Sequence, residues 1–159
     1  MRTGTQEGIE ALVARLAARY RGQRGILLPL LHDLQEELGR VDDAAVAAVA
    51  ETLNLSRAEV HGVVSFYHDF RREAAGRHVV KICRAESCQS RGGAAIEAAL
   101  AARLEVTMGA TRADGQVTLE PVYCLGLCAI GPNALVDGDP VARIDGEAAI
   151  ERIAARVAA

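Results

Sequence analysis

The chain is poor in several residue types, and each shortage narrows what it can be. Lys81 is its sole lysine, aromatic residues make up 3% of it, and it has only four cysteines in 159 residues. No apolar run approaches the roughly 18 residues of a membrane-spanning helix, so direct membrane insertion is not expected. The opening Met1-Arg-Thr-Gly-Thr-Gln-Glu7 lacks an apolar stretch followed by a small-residue cleavage site, so no secretory signal is read. The expected compartment is the cytoplasm. In that reducing environment paired cysteines signal metal or redox chemistry more often than structural disulfides. A formal net charge of −3 offers no basic footprint for a nucleic-acid partner. There is no nucleophile elbow, zincin motif, P-loop or G-x-G-x-x-G fingerprint. No catalytic residue and no independent active site are expected.

What is present begins with helical periodicity. Ile9, Leu12, Val13, Leu16 and Tyr20 form one apolar stripe at helical spacing. A second helix is expected from about Pro29, suited to a first turn, to Gly39, suited to a left-handed stop, with Leu30, Leu31, Leu34 and Leu38 on one face. Asp42 or Asp43 can cap a third, whose face is Val46, Val49, Ala50 and Leu53 and whose stop is Asn54. Ser56-Arg-Ala-Glu59 matches a capping box ahead of Val60, Val63, Val64 and Tyr67. Four short amphipathic helices therefore open the chain. Phe66, Tyr67 and Phe70 hold most of the aromatic content and are expected in the core or at an interface.

Near Gly76 the pattern changes. Val79–Ile82 and Val117–Tyr123 read as strands, residues 91–104 as a helix, residues 134–136 and 141–144 as a hairpin about Asp137-Gly138, and the end as a helix capped by Asp145. The expected order β-α-β-β-β-α gives a small mixed sheet with helices packed on it. The fold class is α+β.

The four cysteines carry the chemistry. Cys83 and Cys88 form one close pair, and Cys124 and Cys128 another, each pair starting at the end of an expected strand. Four thiolates from two loops can close the shell of a [2Fe–2S] cluster or of a single zinc ion. Spacing alone leaves zinc open, as a structural module that mediates assembly. A thiol–disulfide protein would favour C-x-x-C, which is absent, and plant-type ferredoxin spacing fails for want of a cysteine near position 91. Cys88 lies just before the helix expected from Arg91, whose N–H groups would favour the negative charge of a cluster. Gly126 would let backbone N–H groups approach sulfur.

Three segments then carry a resemblance. Leu28-Pro-Leu-Leu-His-Asp-Leu-Gln-Glu-Glu-Leu-Gly39, Leu55-Ser-Arg-Ala-Glu-Val-His-Gly-Val-Val-Ser-Phe-Tyr-His-Asp-Phe70 and Cys124-Leu-Gly-Leu-Cys128 resemble the 24 kDa-type subunit of NADH dehydrogenases from about residue 9 onwards. The resemblance implies an N-terminal four-helix bundle (residues 1–75) and a thioredoxin-like [2Fe–2S] ferredoxin domain (residues 76–159). It implies one cluster on Cys83, Cys88, Cys124 and Cys128, and electron transfer with a 51 kDa-type flavoprotein partner that binds FMN and NAD(H). Cys83-Arg-Ala-Glu-Ser-Cys88 and Glu120-Pro-Val-Tyr-Cys124 look most like the gamma subunit of NAD-dependent formate dehydrogenase. That enzyme's larger subunit carries a molybdenum cofactor and further iron–sulfur centres. Equivalent subunits of NADH-quinone oxidoreductase (complex I) and of NAD-reducing hydrogenase are the alternatives.

Overall fold

The computed structural model describes residues 6–158. The chain divides into two compact units, Met1–Ala74 and Ala75–Ala159.

In the first unit, α1 (Gln6–Ala17) leads into a turn of 3-10 helix, followed by α2 (Leu27–Leu38), α3 (Asp43–Leu53) and α4 (Arg57–Phe66). Local chemistry sets the ends. Gly39 closes α2 with φ 76°, its N–H donating to the Gln35 carbonyl, and Asn54 closes α3 with φ 53°. Asp42 caps α3, its Oδ1 accepting from the Ala45 N–H at 3.0 Å. The capping box of α4 is complete. Ser56 Oγ accepts from the Glu59 N–H at 3.2 Å, and Glu59 Oε2 accepts from the Ser56 N–H at 2.8 Å. Helix α2 starts two residues before Pro29, which still falls in the first turn, where its missing N–H has no helical partner to lose. The stripes meet in one core of Val13, Leu16, Leu30, Leu31, Leu34, Val49, Val60 and Val64. Each fully buried leucine there contributes on the order of 2 kcal/mol.

One expectation changes and another is narrowed. Tyr20 leaves the α1 stripe and donates its hydroxyl to Asp33 Oδ2 at 2.9 Å. Of the three clustered aromatics only Phe70 is buried, while Phe66 is 74% and Tyr67 43% exposed.

The second unit is a five-stranded sheet in the order β2-β3-β1-β4-β5, with β1 (His78–Cys83), β2 (Ala110–Thr111), β3 (Val117–Val122), β4 (Ala134–Val136) and β5 (Asp139–Val141). Its helices are α5 (Glu86–Gln89), α6 (Gly93–Leu104) and α7 (Glu147–Val157). β1 and β3 are parallel, and the other pairings are antiparallel. Val80, Ile82, Val117, Leu119 and Val136 of the sheet share one core with Leu100 and Leu104 of α6 and Ile150 and Ile153 of α7.

The expected order thus gains a strand, because β2 is only two residues long and is defined by its pairing with β3. The hairpin turns on Asp137 and Gly138, with φ of 53° and 88°. This two-residue loop, with both residues left-handed, places β5 at 139–141 rather than 141–144. Gly146, not Asp145, precedes α7, and no side chain caps it. Among the described residues no helix is long and apolar enough to cross a membrane.

Candidate metal centre

Strand register brings the two cysteine loops together. Because β1 and β3 are parallel neighbours, their C-terminal ends lie at the same edge of the sheet, with Cys83 opposite Val122. Cys83 ends β1, and Cys124 follows β3 by two residues. β4 runs antiparallel to β1, so its entry lies at that same edge, and the Cys83 N–H donates to the Asn133 carbonyl at 2.9 Å. Three loops therefore meet where the thiols sit.

The four sulfurs gather as two pairs. Cys124 and Cys128 Sγ are 3.7 Å apart, and the Cys83 and Cys88 thiols are hydrogen-bonded to each other. Charge on Cys83 acts on Cys128, and charge on Cys128 acts on Cys88, so the pairs face one site. No disulfide is present. The pairs differ in burial: Cys83 and Cys88 are buried, whereas Cys124 and Cys128 are exposed. Among the described residues no group of three or more His, Cys, Asp and Glu side chains is arranged around a single-ion position.

Backbone N–H groups, that of Ala85 at the start of α5 among them, donate to the sulfurs. Cys88 lies inside the short helix α5 instead of immediately ahead of α6, which begins at Gly93. Burial pushes the Cys83 thiol up. The N–H of Ala85, the Cys88 thiol, and the N–H groups of Cys124 and Leu125 more than offset this and hold it below its ordinary value. Burial, followed by the hydrogen bond and charge of Cys83, pushes Cys88 up, against the Asn133 backbone N–H, which bonds the sulfur and acts in the opposite direction. The Cys124 thiol, by hydrogen bond and then by charge, does the same to Cys128. Ionising all four together thus meets like-charge repulsion, which the positive charge of a bound metal centre would offset, holding the thiols deprotonated.

Glycine and one cysteine shape the exposed loop. Gly126 donates its N–H to Cys124 Sγ at 3.4 Å, in line with the sequence pattern. A Cβ there would meet open space, so the glycine answers to its φ of 76° rather than to crowding. Cys124 itself has φ 80°, a left-handed conformation that is uncommon for a residue with a Cβ and marks functional sites. Crowding matters elsewhere. A Cβ on Gly131 would lie 3.1 Å from Cys88 Sγ, and one on Gly93 would lie 2.7 Å from the Cys88 carbonyl oxygen.

Two further residues carry no signal in the sequence. Arg91 Nη1 donates to the carbonyls of Cys128 at 3.2 Å and Ala129 at 2.9 Å, tying one cysteine loop to the other. Asn133 is buried, and its Nδ2 donates to the Leu127 carbonyl at 2.8 Å and towards Cys88 Sγ at 3.7 Å. Neither contact is local, because Arg91 reaches 37 residues and Asn133 reaches 45.

The donor set fits a [2Fe–2S] group. Four thiols are its full complement, they come in twos, several N–H groups point at sulfur, and glycine leaves room beside Cys88. A mononuclear tetrahedral shell with bonds of about 2.3 Å would instead bring all its sulfurs to about 3.8 Å from one another.

Comparison with known proteins agrees. The family model described as thioredoxin-like [2Fe–2S] ferredoxin matches residues 13–157. A subunit of the NADH-quinone oxidoreductase of Escherichia coli (strain K12) is 37% identical over 129 residues, covering 81% of this chain and 78% of that protein. The subunit of the same name from Pseudomonas aeruginosa is 33% identical over 120 residues, covering 76% of this chain and 72% of its own length. Among solved structures, an NAD+-reducing [NiFe]-hydrogenase chain superposes with a TM-score of 0.72 at 26% identity. The match covers 84% of this chain but only 23% of the hydrogenase chain. Cysteine chemistry, sheet topology and these matches agree that the chain belongs to the thioredoxin-like [2Fe–2S] ferredoxin family, with subunits of NADH-quinone oxidoreductases among its relatives.

Proposed function

We propose that the chain is an electron-transfer subunit of an NAD(H)-linked oxidoreductase, with Cys83, Cys88, Cys124 and Cys128 holding one [2Fe–2S] cluster. The supporting observation is the meeting of two thiol pairs at the shared end of β1 and β3. When bound, such a cluster takes up and returns one electron. The chain's own residues hold and shield it. Cys83 and Cys88 anchor the buried side, and Asn133 and Gly131 line it. Cys124 and Cys128 form the exposed side, the edge nearest to any partner's redox group. The partner proposed is a flavoprotein subunit carrying FMN and binding NAD(H).

The relatives favour a complex of the NADH-quinone oxidoreductase or NAD+-reducing hydrogenase kind. Assignment to formate dehydrogenase, with a molybdenum cofactor in another subunit, is the second reading. It rests on the sequences Cys83–Cys88 and Glu120–Cys124. Purifying the native complex and measuring molybdenum, nickel, and formate-, hydrogen- and quinone-linked NAD(H) turnover separates these enzymes. For the ligand assignment, Cys124→Ser should abolish the visible absorption and the EPR signal of the reduced protein. A variant with a normal cluster would refute that assignment.

A further inference from the structure

Asn133 is a buried polar side chain whose placement neither strand geometry nor capping requires. It is 1% exposed, yet its Oδ1 has no hydrogen-bond partner. Its amide instead directs both N–H groups at acceptors, one at the Leu127 carbonyl at 2.8 Å and one towards Cys88 Sγ at 3.7 Å. The orientation is fixed by chemistry: a flipped amide would set Oδ1 against a carbonyl and a thiolate at once, both electron-rich. A buried carbonyl without a partner is unfavourable, so native structures keep one where another contact offsets it. Here that contact is the sulfur. A Cβ on neighbouring Gly131 would lie 3.1 Å from the same Cys88 Sγ and 3.5 Å from Asn133 Nδ2. The absence of that side chain leaves the amide its approach.

We infer that Asn133 tunes the iron–sulfur centre, its amide N–H donating to the Cys88 thiolate and favouring the reduced form. The inference rests on the cluster assignment above. Reduction adds negative charge that spreads onto the ligating sulfurs, so a donor aimed at one of them strengthens on reduction and raises the potential. Its effect falls on the buried side of the centre, where water cannot substitute for the lost N–H.

The test uses the full chain, reconstituted with iron and sulfide. Asn133→Leu keeps roughly the volume and removes the side-chain donor, Asn133→Ala removes both, and each leaves in place the Asn133 backbone N–H that also bonds the Cys88 sulfur. EPR-monitored redox titration reads the ratio of oxidised to reduced centre at a fixed ambient potential. Either variant should shift that ratio about tenfold towards oxidised, which is about 59 mV for a one-electron couple. A change of surroundings alone could lower the potential too, so resonance Raman supplies the second readout. The wild-type Fe–S(Cys) bands should shift on exchange into deuterated water, and part of that shift should vanish in both variants. An intact centre with an unchanged ratio, or with an undiminished deuterium shift, overturns the tuning role. Failure of both variants to take up a cluster also overturns it, assigning Asn133 to assembly instead. A wild-type chain that takes up no iron and sulfide overturns the cluster assignment itself, a result distinct from the others.

Discussion

Gly93→Ala sets two opposed effects against each other, and the geometry decides between them. An alanine in a helix is worth up to about 1 kcal/mol over glycine, and less in the first turn. Gly93 is the first residue of α6, with a negative φ that alanine would accept. Its added Cβ, however, would lie 2.7 Å from the Cys88 carbonyl oxygen, 3.0 Å from the Cys88 carbonyl carbon and 3.0 Å from Gln89 Nε2. The amide can swing away, but the carbonyl is backbone in the cysteine loop and has little freedom. Overpacking of this kind costs about 1–3 kcal/mol, so the net expectation is a loss of about 1–2 kcal/mol. Gly62→Ala is the matched control. Gly62 lies within α4, its Cβ would meet nothing within 4 Å, and the substitution should gain about 0.5–1 kcal/mol. Urea unfolding followed by far-UV circular dichroism measures both, since the chain has no tryptophan. Gly93→Ala should also release iron to a chelator faster, because the obstructed group belongs to Cys88. A Gly93→Ala protein as stable as wild type, or a Gly62→Ala protein as damaged as expected of Gly93→Ala, would refute the packing argument.

Two other outcomes follow from single side chains. Arg91→Ala removes the donor to the Cys128 and Ala129 carbonyls. These exposed contacts are worth about 1 kcal/mol together, so chelator-driven iron release should quicken about fivefold while the absorption spectrum stays unchanged. An unaltered release rate would show that Arg91 does not hold the loops together. Burial pushes the Asp137 carboxyl up, but the His78 ring and the Val79 N–H that bond to it more than offset this and hold it below its ordinary value. A lowered folded-state value means stability that is fully present above the unfolded value near 4. That stability is lost as pH falls from there through the lowered folded-state value. Asp137→Asn should therefore cost about 0.5–1 kcal/mol at pH 7, discounted for the partly exposed carboxylate. The difference from wild type should shrink below about pH 4. A difference that is constant with pH would remove the charge from the explanation.

Features set by a few adjacent residues can be read from the sequence. The Ser56–Glu59 box, the Asp42 cap and the left-handed stops at Gly39 and Asn54 all act within four residues, so pattern and structure coincide. Features set by pairing cannot. Strand β2 exists only because Ala110 and Thr111 pair with β3, and β5 takes its position from the Asp137-Gly138 turn. Hydrophobicity alone does not separate core from interface for Phe66, and the structure excludes only the core, because α4 buries Val60 and Val64 and leaves Phe66 exposed. The same division runs through the site. Cysteine type and spacing mark the thiols, and strand ends suggest that their loops converge. The adjacency of β1 and β3 is a property of the sheet, and Asn133 and Arg91 arrive from 45 and 37 residues away. Gly93 lies hard against Cys88, a contact set by how α5 and α6 meet.

The proposed electron-transfer role requires the paired thiols to hold a dinuclear iron–sulfur group rather than a single ion. Quantifying iron, acid-labile sulfide and zinc on the purified full-length chain tests it directly. A [2Fe–2S] centre gives about two irons and two sulfides per chain, a coloured protein and an EPR signal on reduction. One zinc per chain, with no sulfide and no colour, would contradict it.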